Sequence, residues 1–309
     1  MINKNTLSSF LNYYGLADAK SKLIESGLSS FVLVVVHKNK KYVLKIYDKK
    51  SNVETEAQFS DYLYDEGIPT AKIIKNSNNQ LITAIGDLRG ILFNFCDGDP
   101  IRWNNISPVF SKNLAKVLAK MHSLMPRNIK IPGKKYHGCK IKSSTNISNT
   151  KIIQKSKEIK KELETLNTSK LRTGLIHADL TRQNILVSKN RNKIEAIIDF
   201  GDAHYDYLVW DLSILITHIF ITKTYGIDWK ALSIFIKEYY SLFPLTKGEM
   251  KAIIPFIKIR NLNLAIEVNN LISNKSKNIK ELKSIENSVL TKLELVSKNE
   301  EHLMELLIS

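Results

Sequence analysis

Arginine is scarce in this chain of 309 residues: only seven of its 46 basic side chains are Arg, the rest are Lys, and they face 30 acidic residues. The formal net charge of +16 raises the question of nucleic acid, because cations that neutralise phosphates give salt-dependent binding. The lysines, however, are scattered among Asn, Ile and Ser along most polar segments, with no basic cluster interleaved with aromatics to act as a stacking platform. Nucleic acid is therefore not an expected partner. What the charge does imply is a positive field that disfavours polycationic ligands and favours anionic or zwitterionic ones.

Cysteine is almost absent too. Cys96 and Cys139 lie far apart and lack the spacing partners of a zinc site or a redox pair. Long apolar runs are missing: the richest, residues 212–221, is broken by Ser213, Thr217 and His218 and falls short of the ~20 residues of a membrane span. No apolar signal segment follows Met1-Ile2-Asn3-Lys4, so the expectation is a cytoplasmic protein with no membrane partner. No internal repeat is apparent. With 43% hydrophobic residues, the chain has material for two cores.

Against these absences stands one dense constellation. His177-Ala178-Asp179-Leu180 is followed by Asn184, five residues past the Asp, and by Asp199-Phe200-Gly201, whose Asp is fifteen residues past the Asn. Phosphoryl transfer needs three groups in that order. A carboxylate orients a hydroxyl and accepts its proton; an amide and a second carboxylate then hold Mg²⁺ against nucleotide phosphates. The surroundings suit the task. Thr173-Gly174 reads as a turn and Leu175-Ile176 as a short apolar run. Ile185-Leu186-Val187 and residues 194–199 read as strands about a polar turn at 188–193, a hairpin that sets Asn184 beside Asp199.

The first hundred residues predict a small, mostly β region. A helix over 7–14 stops at Gly15, and the turn around Gly27 leads into a strand over 31–36 and its hairpin partner over 42–47. Period-two alternation puts Lys45 on the face of Val43 and Tyr47, opposite Leu44 and Ile46. A lysine on a partly apolar face calls for an anionic partner. The next helix, 52–66, offers Glu54 and Glu56, and Glu56 shares the inward i, i+3, i+7 face with Phe59 and Leu63. A further hairpin, 80–85 with 90–95, runs into Cys96-Asp97-Gly98-Asp99-Pro100, a connector whose backbone groups, flanked by Phe95 and Asp97, could meet an adenine edge.

Beyond the connector the chain reads as mostly helical. Helices are expected over 109–124, 152–166, 209–223, 229–242, 247–272 and 278–307, with a capping box at Thr246-Lys247-Gly248-Glu249. Residues 126–148 read as a basic, serine-rich surface loop. Asp202 and Asp206 read as exposed turn residues that could meet a substrate ammonium.

Taken together, these motifs resemble the aminoglycoside phosphotransferase and choline kinase superfamily, small-molecule kinases with a protein-kinase-like fold. The resemblance covers nearly the whole chain. Residues 175–184 and the segments 11–16 and 42–47 look most like the homoserine kinase branch, where Ala inside the His-x-Asp motif is usual. Ile198-Asp199-Phe200-Gly201-Asp202, with Tyr205 and Tyr207, looks like the hydroxylysine kinase branch instead. Homoserine kinases typically carry aromatics where Gly201 and Asp202 stand here. The resemblance implies an α+β, two-lobed fold with a mostly β lobe over 1–97 and a mostly α lobe over 98–309. It implies ATP and Mg²⁺ as cofactors and a small-molecule hydroxyl compound as substrate.

Carried over residue by residue, the resemblance makes Asp179 the catalytic base and His177 a brace for its loop. Asn184 and Asp199 become the metal ligands, and Lys45, positioned by Glu56, the phosphate contact. Asp211 corresponds to a structural aspartate tying a helix start to the catalytic loop. The single glycine of the phosphate loop, Gly27, departs from a Gly-x-Gly-x-x-Gly pattern, which leaves Ser29 and Ser30 as nucleotide contacts. Homoserine- or hydroxylysine-like acceptors come first, choline or ethanolamine next, and aminoglycosides behind them because a +16 chain suits a polycation poorly. The alternative of another class is an inactive nucleotide-binding pseudokinase. A protein kinase lacks support, since no Ala-Pro-Glu segment follows Asp199.

Overall fold

The computed structural model describes residues 3–26, 30–48, 53–102, 104–124, 140–142, 147–224, 226–274 and 278–308. The chain opens with α1 (Lys4–Asn12), β1 (Lys20–Ser26), β2 (Ser30–His37), β3 (Lys40–Tyr47) and α2 (Val53–Asp65), then β4 (Ile73–Ile74), β5 (Thr83–Ile85), β6 (Leu88–Asn94) and β7 (Asp99–Pro100). There follow α3 (Pro108–Ser123), α4 (Thr150–Glu164), β8 (Thr173–Ile176), β9 (Ile185–Val187), β10 (Ile194–Ile197) and β11 (His204–Tyr207). The remainder is α5 (Leu208–Ile219), β12 (Ile221–Thr222), β13 (Gly226–Ile227), α6 (Trp229–Leu242), α7 (Lys247–Ser273), α8 (Ile279–Lys298) and α9 (Glu300–Ile308). The described residues up to Ile101, with Gln183–Ala203, make one compact unit; the other described residues make a second.

The first unit is built on an antiparallel sheet in the order β1-β2-β3-β6-β4, with β5 sharing the outer edge of β6 with β4. β-Branched and aromatic runs supply β2 and β3, and two residues at positive φ, Lys38 and Asn39, close the tight turn between them. Leu33 pairs with Leu44 and Val32 with Lys45. On one face Leu44, Ile46, Leu33 and Val35 pack on Phe10 of α1; on the other Tyr47 packs with Val53 and Ala57 of α2. Alternation along β3 thus directs Lys45 to the α2 face. β1 is absent from the sequence expectation for a physical reason: in this edge strand residues 20–24 are all exposed, Leu23 and Ile24 included, so no alternation of buried and exposed positions is written there.

A three-stranded antiparallel sheet, β10-β9-β7, completes this unit. The Ile198 N–H donates to the Asn184 carbonyl at 3.0 Å, so the hairpin holds the residue before Asp199 directly against Asn184. Gly98 lies so close to β9 that a Cβ there would stand 3.0 Å from Leu186 Cβ and 3.2 Å from the Val187 backbone nitrogen.

In the second unit α5 is buried almost all round, Asp211, Ser213 and Thr217 included, because its apolar residues lie on every face. α7 opens on the Thr246–Glu249 capping box, with both reciprocal bonds made. Three expectations change here. Thr173-Gly174 is not a turn but the start of β8, paired with β11; Gly174 is needed there because a Cβ would sit 2.7 Å from Leu208 Cδ2. Asp206 is not an exposed turn residue; it lies in β11 opposite Gly174 and is buried. The helix over 278–307 is two helices, because the Asn299 side chain turns back to donate to the Leu295 carbonyl and ends α8. Residues 126–148 fall mostly outside the described residues. Among the described residues, no helix is long and apolar enough to cross a membrane.

Candidate active site

In the first unit, Lys45 Nζ lies 3.0 Å from both Glu56 oxygens and 2.6 Å from Asp199 Oδ1. Glu56 is buried while Glu54, one turn-edge earlier on α2, is exposed, so Glu56 is the carboxylate that reaches the lysine. Burial alone would lower the Lys45 pKa, but Glu56 and Asp199 together outweigh it and hold the ammonium above its ordinary value. Burial raises the Glu56 carboxyl, Lys45 opposes the shift, Asp199 adds to it, and the net displacement is upward. The Tyr47 ring lies 5.1 Å from Lys45 Nζ. The cluster is one cation short of neutral. Gly201 completes it: a Cβ there would meet Glu56 Oε2 at 3.3 Å and Asp199 Oδ1 at 3.6 Å.

Asp199 adopts a left-handed backbone, φ 68° and ψ 66°, and its side chain is half exposed. Asp tolerates that region better than most residues, and here its contact to Lys45 holds it there. Asn184 immediately precedes β9, the neighbouring strand of the same hairpin, and it is buried. An amide oxygen and a carboxylate are hard donors of the kind Mg²⁺ takes together with phosphate oxygens, and the surplus negative charge of the Lys45–Glu56–Asp199 cluster fits a cation there. Among the described residues no group of three His, Cys, Asp or Glu forms a metal cage.

The second unit carries the His177-Ala178-Asp179 loop, which follows β8. The Asp211 carboxylate, on the first turn of α5 and inaccessible to solvent, accepts the His177 backbone N–H at 2.7 Å and that of Ala178 at 2.8 Å. His122 Nε2 lies 3.6 Å from Asp211, and His122 Nδ1 is 2.7 Å from the Tyr239 hydroxyl. His177 Nδ1 accepts the Asp179 backbone N–H at 3.2 Å, bending the loop back on itself. Ala178 is left-handed, φ 67°. The Asp179 carboxylate accepts from Arg260 Nη2 of α7 at 2.8 Å.

Arg260 is one of several residues that no spacing rule singles out. Arg182, three residues past Asp179, donates to the His218 and Ile219 carbonyls at 2.8 and 2.6 Å and to Asn104 Oδ1 at 3.0 Å. Lys292 of α8 donates to the Thr217 carbonyl at 2.9 Å. Burial, and then the charges of Lys292, Arg260 and Arg182, push the His218 imidazole well below its usual pKa and keep it neutral. Burial, followed by Arg182, lowers the Lys292 ammonium to about 8. A packed set of cations thus gathers at the end of α5, from three segments distant in sequence.

Ser29 lies outside the described residues; Ser30 opens β2 opposite Tyr47. Phe95 follows β6, its ring 5.2 Å from Lys41 Nζ and its N–H donating to the Lys41 carbonyl at 3.4 Å. Asp97 is exposed in the short connector to β7, and Asp202 is exposed beside Gly201. Cys96 is a free thiol, partly buried.

Comparison with known proteins agrees with this chemistry. The Phosphotransferase enzyme family matches residues 20–229, and the chain belongs to that family. It is 27% identical to a homoserine kinase of Methylobacillus flagellatus over 242 residues, covering 74% of this chain and 72% of the relative. It is 22% identical to a hydroxylysine kinase of Xenopus laevis, covering 71% of this chain and 68% of that one. Among solved structures, the amicoumacin kinase hAmiN in complex with AMP-PNP, Ca²⁺ and Ami superposes with a TM-score of 0.74 at 17% identity, covering 96% and 94% of the two chains. The fold is the α+β, protein-kinase-like one, and the chain is a small-molecule phosphotransferase acting on a hydroxyl group.

Proposed function

We propose that the chain transfers the γ-phosphoryl group of ATP, with Mg²⁺, to a hydroxyl of an amino-acid or amino-alcohol metabolite of the homoserine or hydroxylysine kind. The observation that carries this reading is Lys45 held between buried Glu56 and Asp199, an ammonium kept charged and fixed in place as a phosphate contact requires. The solved relative holding AMP-PNP and Ca²⁺ supports a nucleotide and a divalent cation. The homoserine and hydroxylysine kinase relatives support a small amino-acid acceptor.

In this reading residues 1–97 supply the nucleotide lobe and 98–309 the catalytic and acceptor lobe. Lys45 meets the nucleotide phosphates, Glu56 fixes its position, Ser29 and Ser30 add polar contacts, and the backbone between Phe95 and Asp97 meets the adenine edge. Asn184 and Asp199 hold Mg²⁺, which when bound neutralises charge on the phosphates. Asp179 orients the acceptor hydroxyl and takes its proton as the oxygen attacks phosphorus, and His177 keeps the Asp179 loop bent. The work is positioning and charge neutralisation, so no covalent protein intermediate forms.

The test is an ATP-dependent assay over a panel of hydroxyl metabolites, with the phosphorylated product identified by mass spectrometry. Asp179→Ala should abolish transfer while calorimetry still shows Mg²⁺-dependent ATP binding. Turnover retained by that variant sinks the base assignment, and an absence of Mg²⁺-dependent ATP binding in the wild type sinks the kinase reading.

A further inference from the structure

Three cationic side chains from separate segments converge on the last turn of α5. Arg182 comes from the loop after Asp179, Arg260 from α7 and Lys292 from α8, and all three act electrostatically on His218. One plain reason for them is at hand. The final carbonyls of a helix lack partners and carry roughly half a negative charge, and Lys292 and Arg182 bond the carbonyls of Thr217, His218 and Ile219.

That reason falls short in magnitude. Two of the three cations reach the helix end, which supplies about half a negative charge, and the third, Arg260, is paired with Asp179 instead. Nor does it account for Arg260, which touches none of those carbonyls. Its Nη2 is given to Asp179, and its Nε is buried with no acceptor among the described residues. A buried N–H without a partner is costly, and an anion beside it would relieve that cost. Two partners of Arg182, Asn104 and Ile219, also line a pocket of about 460 Å³ with Phe220, Thr222 and Asp228.

We infer that Arg260 and Lys292, with the field of Arg182 behind them, form an oxyanion site beside Asp179 that takes the carboxylate of the acceptor. The inference rests on the kinase reading above and narrows it: the acceptor is a hydroxy amino acid, and amino alcohols without the acid group are poor substrates. His218, neutral at the centre of the cluster, adds no charge of its own. The arrangement also suits the task geometrically, since the guanidinium that would bind the acid is the one bonded to Asp179. Fixing the carboxylate at Arg260 fixes the distance from that carboxylate to the catalytic oxygen, and so selects acceptors by the spacing of their acid and hydroxyl groups.

The test crosses acceptors with variants of the full-length protein. L-Homoserine and 5-hydroxy-L-lysine are each compared with the amino alcohol in which the carboxylate is reduced to CH₂OH, using wild type, Lys292→Met and Lys292→Arg. The wild type should favour at least one acid over its counterpart by on the order of 10- to 100-fold in kcat/KM. Lys292→Met should lose most of that preference through KM for the acid, with KM for ATP within about twofold, and Lys292→Arg should restore it in large part. Equal use of acid and amino alcohol by the wild type overturns the inference. So does a rise confined to KM for ATP, which would give the cluster to nucleotide phosphate, and so does a loss shared by both acceptors with a lowered melting temperature, which would leave α5 capping alone. Calorimetry of the acids without nucleotide separates the two readings. Lys292-dependent binding of an acid by a protein that transfers no phosphate keeps the anion site and refutes the kinase, whereas transfer without preference for the acid does the reverse.

Discussion

Asp211 holds Ala178 in a conformation that alanine seldom adopts: the carboxylate accepts the Ala178 N–H at 2.8 Å while Ala178 stands at φ 67°. The other carboxylate oxygen takes the His177 N–H, so both oxygens are spent on consecutive amides of the loop that carries Asp179. In Asp211→Asn one of the two positions becomes an NH₂ that cannot accept, leaving a buried N–H unpaired at a cost of about 1–3 kcal/mol. Urea unfolding should show that loss. The kcat should fall on the order of 100-fold as Asp179 loses its position, with KM for ATP little changed. An unchanged kcat in a destabilised variant would make Asp211 a purely structural anchor.

The Lys45–Glu56 pair predicts a pH signature. Lys45→Met leaves Glu56 buried and unpaired near Asp199, which costs about 3–5 kcal/mol at neutral pH. The Glu56 carboxyl already lies above its ordinary value, and losing the ammonium that opposes this shift drives it further up. A carboxyl whose folded pKa is raised binds its proton more tightly in the folded state, so its stabilising share is present at low pH and lost as pH rises through the folded pKa. Thermal unfolding across pH should therefore show the Lys45→Met defect shrinking as pH falls toward the carboxylate range. Lys45→Met/Glu56→Gln should recover part of the loss at pH 7. A defect independent of pH would mean that Glu56 is not the group left stranded.

How much of this is readable from residues alone depends on how each group is positioned. The Lys45–Glu56 contact is readable because a two-residue strand period and a 3.6-residue helix period each fix a facing direction. Asn184 and Asp199 are readable because a short hairpin joins them. Arg260 and Lys292 are not: they stand 81 and 113 residues past Asp179, reach the end of α5 only through helix packing, and Lys292 is one lysine among many. Asp206 misleads for a similar reason, since a Gly-Asp-x-x-x-Asp stretch looks like an exposed turn until β8 pairs with it and buries it. Asp211 lies between these extremes, marked by its place at a helix start, with its two amide partners supplied by the loop folding against it.

Gly201 is held to glycine by the charged cluster itself. Its φ lies outside the left-handed region, so backbone freedom is not the issue; space is. In Gly201→Ala the new methyl meets Glu56 Oε2 at 3.3 Å, and Glu56 is buried and tied to Lys45, so it cannot swing away without breaking the pair. Overpacking of this sort costs about 1–3 kcal/mol. Because the displaced carboxylate is the one that fixes Lys45, KM for ATP should rise several-fold while KM for the acceptor stays level. A stability loss with both constants unchanged would separate Gly201 from the nucleotide role proposed for Lys45.

Lys292 makes stability and acceptor affinity respond to pH in opposite directions. Its ammonium is lowered from 10.5 to about 8 by burial and by Arg182, and with Arg182 and Arg260 it acts on His218. Between those two values the unfolded chain binds more protons than the folded one, so this group makes folding more favourable as pH rises from about 8 to 10.5. Over the same rise the folded lysine loses the charge that would attract a carboxylate, and KM for a carboxylated acceptor should increase. Lys292→Met has neither dependence. Subtracting its unfolding and KM profiles from the wild-type profiles isolates the group from the many other lysines that titrate nearby in pH. The same variant should be at least as stable as the wild type at pH 7, because it removes a buried charge that Arg182 repels. A variant clearly less stable at pH 7 would show that the bond to the Thr217 carbonyl outweighs that repulsion, and a KM profile that stays flat above pH 8 in the wild type would remove Lys292 from the acceptor site.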